Sequence, residues 1–600
     1  MLHGNLVVAG IIVLGAYMIG MLGIGVYCNK KYANNLSGFL TGGRNLGPWV
    51  FALTYGSTYL SASTFIGNTG TAYKAGMAYL MMPVAQVVLL PIGLILFSHG
   101  LRRVSVRLNA MTIPEYVSKR FKSPIAGLIA SLVILIFMVP YMVGVVKGGA
   151  VSLAGLFGIP YIVAVLLVSG VACVYLIFGG YMARCYTDVV QGAMMAIGMM
   201  AVLIGGFFIV GGPTEIAAGV AASDPALLET PGPMGWSELF LFSSVYALTP
   251  WGLPQLVQTN FTIKDKKTVY VSSIVLSIWL GAILIGSMII GNMGRAYFGD
   301  QFVNNPDEVF PAMVLEFFPN VIGAVVIVAV IAAAMSTIDG VLMTSGSAFG
   351  VDIFKKFIKK DATEKQTIAA SNIAMFVIIA VVIVWAFYPP EMISYFTSYA
   401  FSVIAGTLIV PVFAGFYSRK GTKAGCVASM LTGGLGTLFW YIVKPGGNYI
   451  LGCPPFVAGA ILSAIVFFAS SQRRCRRSSW MTCSRKRQRR ARMRLKTSRW
   501  PPLKSRRKPT IWQPTARRGR GHTAPRAHTL LTSGRCAGGG SHRPRPMPAL
   551  HAGPRAAGAF AGRHPFAREM PLPAWRKGPL QGSILSSGTV RRAGSPRPPR

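Results

Sequence analysis

The sequence predicts an all-α integral membrane protein of about thirteen transmembrane helices. Three observations carry this. The 600 residues are 52% hydrophobic and only 12% charged, with positive mean hydropathy, which is outside the range of soluble domains. Apolar runs recur that reach the roughly 20 residues needed to cross a bilayer. The basic residues between those runs fall almost entirely into alternate loops, as expected of a chain that crosses a membrane repeatedly.

The first run, near 6–27, has no basic residue before it and no small-residue cleavage site after it, so it reads as a retained span rather than a cleaved signal. The second, 48–72, is the most polar. It holds Thr54, Gly56, Ser57, Thr58, Tyr59, Ser61, Ser63 and Thr64. Glycine and hydroxyls at mid-membrane favour local unwinding, which survives only where backbone lines a cavity or is buried in protein. A hydroxyl-rich packing face is the alternative. Runs near 77–98, 125–146, 160–178 and 189–210 follow. The seventh, 236–256, contains Thr249-Pro250-Trp251-Gly252-Leu253-Pro254-Gln255, and two prolines around a glycine cannot support a regular helix. It lies five spans after the second. Transporters built from inverted five-helix repeats break the first helix of each repeat and bind substrate between the breaks. Spans two to six and seven to eleven are the expected repeats.

The eighth run is 269–290. The ninth, 321–349, carries Ala332-Ala333-Ala334-Met335-Ser336-Thr337-Ile338-Asp339-Gly340. Asp339 is the one acid before residue 471 that fits neither a membrane edge nor a loop. Buried acids in membranes usually mark an ion pathway or a buried partner, and clustered neutral and anionic oxygens suit a small hard cation. Sodium ions and protons are the candidates. Close helix packing through small and hydroxyl residues competes with that reading. Runs near 367–387, 393–416, 425–443 and 450–470 complete the count.

With thirteen spans, one set of loops holds 21 Lys and Arg and the other only Lys74, Lys147, Arg295 and Lys444. Arg44, Arg184, Lys264 and Lys355 are in the richer set. One missed span would scramble this split. The N-terminus is therefore expected outside and the C-terminus in the cytoplasm, in the cell's inner (plasma) membrane.

The formal charge of +41 does not mark a nucleic-acid binder. Of 58 Lys and Arg, 33 lie in residues 471–600 beside a single acid, Glu569. That segment uses 28 Arg and 5 Lys, whereas residues 1–470 use 8 Arg and 17 Lys. Its abundant Pro, Ser and Gly with high charge predict disorder. It reads as a tail binding RNA or anionic lipid, as a solvated tail, or as out-of-frame translation of GC-rich sequence, and the abrupt change near Gln472 favours the last. Residues 1–470 form the membrane domain.

Cys28, Cys173, Cys185, Cys426 and Cys453 are scattered, without disulfide or zinc spacing. Only His3 and His99 precede the tail, and no phosphate-binding loop is present. An enzyme would need clustered His, Asp or Glu within spans. No enzymatic activity and no cofactor are expected. A sensor on the same scaffold would need a signalling domain after the last span.

Ser61-Ala62-Ser63-Thr64-Phe65-Ile66-Gly67 with Gly70 and Tyr73, then Gly179-Gly180-Tyr181, Thr187-Asp188-Val189-Val190-Gln191, Trp251-Gly252-Leu253-Pro254-Gln255, Ala333-Ala334-Met335-Ser336-Thr337 and Asp352-Ile353 together resemble the sodium:solute symporter family over nearly all of residues 1–470. The resemblance implies a LeuT-type five-plus-five inverted repeat and secondary active transport driven by sodium. It implies a sodium site between spans two and nine. The ligands would be backbone carbonyls of Ser57, Leu60 and Ala333 and hydroxyls of Ser336 and Thr337. It places Asp188 at the cytoplasmic end of span six near the ion exit path, where helix capping is the plainer role. Asp339 would tune the site by charge.

The implied partners are Na+, a small-molecule solute and the lipid bilayer, with no nucleic acid. Sugar-binding relatives carry acids and amides where this chain has Tyr59, Ser63, Thr64 and Pro83. The run around Ser61–Gly67 with Ala72-Tyr73-Lys74 is most similar to pantothenate-type members. A small carboxylate is expected: pantothenate, a monocarboxylate or proline. Its anionic group would meet unwound Gly56–Tyr59 amides, with Tyr59, Gln86, Trp251 or Gln255 against the remainder. Each of these side chains has core packing as its plainer role. A proton-coupled transporter is the rival.

Overall fold

The computed structural model describes residues 2–32, 35–388, 393–418, 420–443 and 450–471. The 471–600 segment, apart from Ser471, lies outside them. Among the described residues the chain is helical, and a single isolated bridge pairs Leu46 with Ile263 in parallel.

The first span is α1 (Leu2–Tyr32). A short α2 (Leu36–Thr41) is capped by Asn35. The second span is broken into α3 (Pro48–Tyr59), α4 (Ala62–Phe65) and α5 (Gly67–Ala75). Then come α6 (Met81–Arg107), the amphipathic α7 (Ile113–Phe121) and α8 (Pro124–Phe157). Pro48, Pro114 and Pro124 sit in the first turns of α3, α7 and α8, where their missing N–H costs nothing.

The fifth and sixth spans merge into α9 (Tyr161–Val210), which turns sharply at Gly180 (φ 61°, ψ −153°). That backbone conformation is open to glycine and strained for other residues. The sixth span was expected from residue 189, yet its helix resumes directly after Gly180. Arg184 and Asp188, read as loop and membrane-edge residues, are instead fully buried on it. Four residues apart, they offset each other's charge on one helix face, so the helix can enter the membrane earlier than hydropathy suggests.

After α10 (Pro213–Ser223), the seventh span is broken as expected: α11 (Gly235–Leu248), a 3₁₀ turn over Thr249–Trp251, and α12 (Pro254–Thr259). It runs past the predicted end at 256. Asp265 caps α13 (Lys266–Phe298), and α14 (Val309–Phe317) precedes α15 (Asn320–Ser347). The latter continues as a π-helix over Ala348–Ile358. A Thr363–Gln366 capping box opens α16 (Glu364–Ala386). The last spans are α17 (Ile393–Tyr417), α18 (Lys423–Ile442) and α19 (Pro455–Ser471).

Nine helices among the described residues are long and apolar enough to cross a membrane. The second half of broken span two counts together with α6 as Ala62–Arg107, the broken seventh span is too short to count, and α9 counts once although it turns at Gly180. Burial sorts centre from periphery. In the stretch holding α15, 83% of the most apolar window is buried, against 28% in α1. α15 packs on α9, α8, α1 and α3, and α13 packs on α6, α5, α9 and α3. The broken α3–α5 segment is thus enclosed between the two.

Candidate functional site

The break in span two begins where α3 ends. Leu60 leaves the helix for an extended conformation (φ −82°, ψ 131°), and Ser61 stays extended (φ −123°, ψ −175°). Ser61 then caps α4, accepting from the Ser63 amide. Carbonyls in the last turn of a helix have lost their following amides and seek other partners. Here α15 supplies them. Ser336 Oγ lies 2.9 Å from Ser57 O and 3.0 Å from Ala333 O, both within reach of its one proton. Thr337 Oγ1 lies within bonding reach of Leu60 O (3.2 Å), Ala333 O (3.3 Å) and Thr58 O (3.4 Å).

The structure therefore brings together all five residues anticipated as sodium ligands, with Thr58 beside them. Both hydroxyls are fully buried. Several neutral oxygens around one point, away from water, are what a hard monovalent cation coordinates in place of its hydration shell.

Next to this cluster is a narrow cavity of about 10 Å³, room for about one water molecule. Tyr59, Leu60, Ser63, Thr64, Gln86, Tyr141 and Tyr246 line it, with Thr397 and Phe401 from α17. Leu60 thus belongs to both places: its carbonyl meets Thr337 and the residue borders the cavity. Tyr59 Oη donates to Gln86 Oε1 at 2.5 Å and is 2.6 Å from the Tyr246 carbonyl, joining α3, α6 and α11.

Two anticipated solute contacts, Tyr59 and Gln86, share this cavity. The others do not. Gly56 faces α13, where a Cβ would come within 2.7 Å of the Trp279 ring. Trp251 lines a second cavity with Tyr55, Phe97, Val257 and Phe413, and packs edge-on to Phe97 with centroids 5.2 Å apart. Gln255 is buried on α12 and borders neither cavity. The Gly56–Tyr59 amides are not unwound either. They lie within α3, and the chain opens only at Leu60 and Ser61. Helical amides are spent on the preceding turn, so they cannot receive an anionic group.

A buried polar network adjoins this cluster of carbonyls and hydroxyls. Arg184 Nη2 donates to Thr58 Oγ1 at 2.8 Å, and Arg184 Nε is 3.4 Å from Asp188 Oδ2. Thr58 Oγ1 in turn donates to Asp188 at 3.3 Å. Asp339 accepts from Tyr175 Oη at 2.5 Å and Thr187 Oγ1 at 3.4 Å, so it faces α9 rather than the carbonyl cluster. Arg184 was missed as a site residue. Its spacing of four from Asp188 was the available signal. Tyr141, Tyr246, Thr397 and Phe401 had none, since aromatic and hydroxyl residues in apolar spans read equally well as packing.

The family model for the sodium:solute symporter family matches residues 39–433. A sodium/pantothenate symporter of Haemophilus influenzae is 29% identical over 411 residues, covering 68% of this chain and 84% of the relative. The osmoregulated proline transporter OpuE of Bacillus subtilis is 28% identical, covering 76% and 94%. Among solved structures, a Na+-coupled sialic acid symporter in a substrate-bound, outward-open state superposes with TM-score 0.67 at 20% identity, covering 77% of this chain and 98% of that one. With the matched region including both broken spans and the α15 hydroxyls, the chain belongs to the sodium:solute symporter family, as a multi-pass membrane protein with the LeuT-type fold.

Proposed function

We propose that this protein is a sodium-coupled importer of a small organic carboxylate, working by alternating access. The observation that carries the reading is the convergence of Ser336 and Thr337 of α15 on the carbonyls of Ser57 and Leu60 at the break in span two. Sodium would be held by those groups with the Ala333 carbonyl. Its site shares Leu60 with the cavity, so either ligand fixes the residue that the other needs, and each raises the other's affinity.

The cavity lining is made of hydroxyl, amide and apolar side chains, with no Lys, Arg, Asp or Glu among its described residues. A carboxylate entering it would find its counter-charge in the bound sodium rather than in a side chain. Pantothenate, proline and short monocarboxylates fit this requirement, and relatives named for pantothenate and proline agree with it. In this reading the membrane domain is residues 1–470, with thirteen spans, the N-terminus outside and the C-terminus in the cytoplasm of a cell whose plasma membrane it spans. No function is assigned to residues 471–600.

The test is uptake of labelled pantothenate, proline and short monocarboxylates into vesicles, with inward sodium set against potassium. Sodium-stimulated accumulation of one of them is expected. Uptake driven equally in potassium by external acid would instead make the protein proton-coupled, with Asp339 the first carboxyl to replace.

A further inference from the structure

Arg184 is completely buried, and its bonds reach both broken spans at once. Nη2 meets Thr58 Oγ1 of α3 at 2.8 Å and Thr259 Oγ1 of α12 at 3.4 Å, while Nε lies against Asp188 on its own helix, α9. Thr58 and Thr259 lie on the halves of the broken spans that adjoin basic chain, at Arg44 on one side and Lys264, Lys266 and Lys267 on the other. Those halves are also tied directly: Leu46 N donates to Thr262 O at 3.0 Å and Lys264 N to Leu46 O at 3.2 Å. The basic-side ends of α3 and α12 are therefore one joined unit, and Arg184 fastens that unit to α9.

The fastening is linked to the carbonyl cluster through one residue. Thr58 offers its hydroxyl to Arg184 and its carbonyl to Thr337. A desolvated guanidinium cannot give up its partners unless water or other acceptors replace them. Moving α3 and α12 away from α9 therefore exposes Arg184 and shifts Thr58 away from Thr337.

We propose that Arg184 is a positioning residue for transport: it clamps the basic-side halves of α3 and α12 onto α9, so that the path to that side stays shut while the cation site is assembled. This rests on the sodium reading above. A guanidinium present only to neutralise Asp188 would stabilise the fold without making closure depend on sodium.

The experiment places a reporter cysteine at Val257, which is buried on α12 and lines the second cavity. The full chain carrying Val257→Cys is labelled with a membrane-impermeant maleimide from the basic-loop side of the membrane, in sodium and in potassium. The chain without this change sets the background from native cysteines. Sodium is expected to slow labelling of Val257→Cys by about tenfold, the scale of one hydrogen bond to a charged group. Adding Arg184→Gln is expected to abolish that protection. Thr259→Val keeps the Arg184–Asp188 pair but removes one clamp bond, and is expected to cut protection to about threefold, the scale of one weak hydrogen bond. Full sodium protection in both variants would overturn the clamp and leave the sodium reading standing. If Arg184→Gln does not fold, full protection in Thr259→Val alone does so. Labelling indifferent to sodium in the Val257→Cys chain itself would overturn the sodium reading and the clamp with it.

Discussion

Thr337 and Leu60 are 277 positions apart in the chain, yet the Thr337 hydroxyl lies 3.2 Å from the Leu60 carbonyl. Neither residue carries charge. The contact forms because Leu60 ends one helix and Thr337 stands on the neighbouring one, so a carbonyl at a helix end meets a hydroxyl whose one proton is also within reach of Ala333 O and Thr58 O. Sodium binding at this junction would depend on oxygens supplied by two elements at once.

Removing the α15 hydroxyls should therefore act on sodium first. Ser336→Ala and Thr337→Ala are each expected to raise the sodium concentration for half-maximal uptake about tenfold, equivalent to about 1.4 kcal/mol. The ranking of competing solutes should stay the same. Uptake against sodium concentration, repeated with unlabelled competitors, separates the two effects.

Tyr59→Phe tests the cavity. It removes the one phenol proton within reach of both Gln86 Oε1 and the Tyr246 carbonyl, taking a donor from that buried pair at about 1–3 kcal/mol. The expected result is a solute KM raised about tenfold, with the sodium requirement changed far less. A variant whose KM for solute is unchanged would take Tyr59 out of the binding site.

Packing around the broken span can be probed by one methyl group. At Gly291 of α13 an added Cβ would come within 2.4 Å of the Thr69 carbonyl oxygen, a backbone atom that cannot swing aside. Gly291→Ala is expected to cost about 1–3 kcal/mol by overpacking and to lower the melting temperature in detergent. Gly15→Ala, with no atom within 4 Å of the added Cβ, is the control and should melt like the parent.

Asp265 caps α13 outside the membrane, accepting the Thr268 amide and hydroxyl at 2.8 Å each. These bonds hold its carboxyl below the usual carboxylate range. A carboxyl lowered in the folded state contributes stability above its unfolded value, near pH 3.9, and loses it as pH falls through the lowered folded value. Asp265→Ala should speed hydrogen exchange of the first-turn amides of α13 at neutral pH, and this difference from the parent should shrink in acid. Asp265→Asn, which keeps a capping oxygen, should protect those amides across the same range.

Much of this architecture was legible in the chain. Pro250, Gly252 and Pro254 forbid a regular helix, and the structure breaks there. Ser336 and Thr337 stood out because two adjacent hydroxyls beside the buried Asp339 group oxygens as a small hard cation needs. The exact opening of span two was not legible. It falls at Leu60, an apolar residue without special conformational freedom, while the glycine one turn earlier, Gly56, stays helical and leaves room for the Trp279 ring. Expecting free amides at Gly56–Tyr59 followed from assigning the break to the glycine. Arg184 was misplaced because one charge four residues from another cancels in space but not in a hydropathy average. Trp251 was drawn to the solute by its neighbours in sequence, whereas its ring is held by Phe97 and Phe413 on the far side of the break.

The pairing of Arg184 with Asp188 also bears on how the chain is made. Thr58 is synthesised before Arg184, and Thr259 only 75 residues after it. A lone guanidinium entering hydrocarbon at that stage would be costly. Asp188 arrives four residues later on the same helix, so the charge is offset within a single turn, before the seventh span exists. The guanidinium's charge partner is thus encoded within its own helix turn, whereas its bond to Thr259 waits for the seventh span.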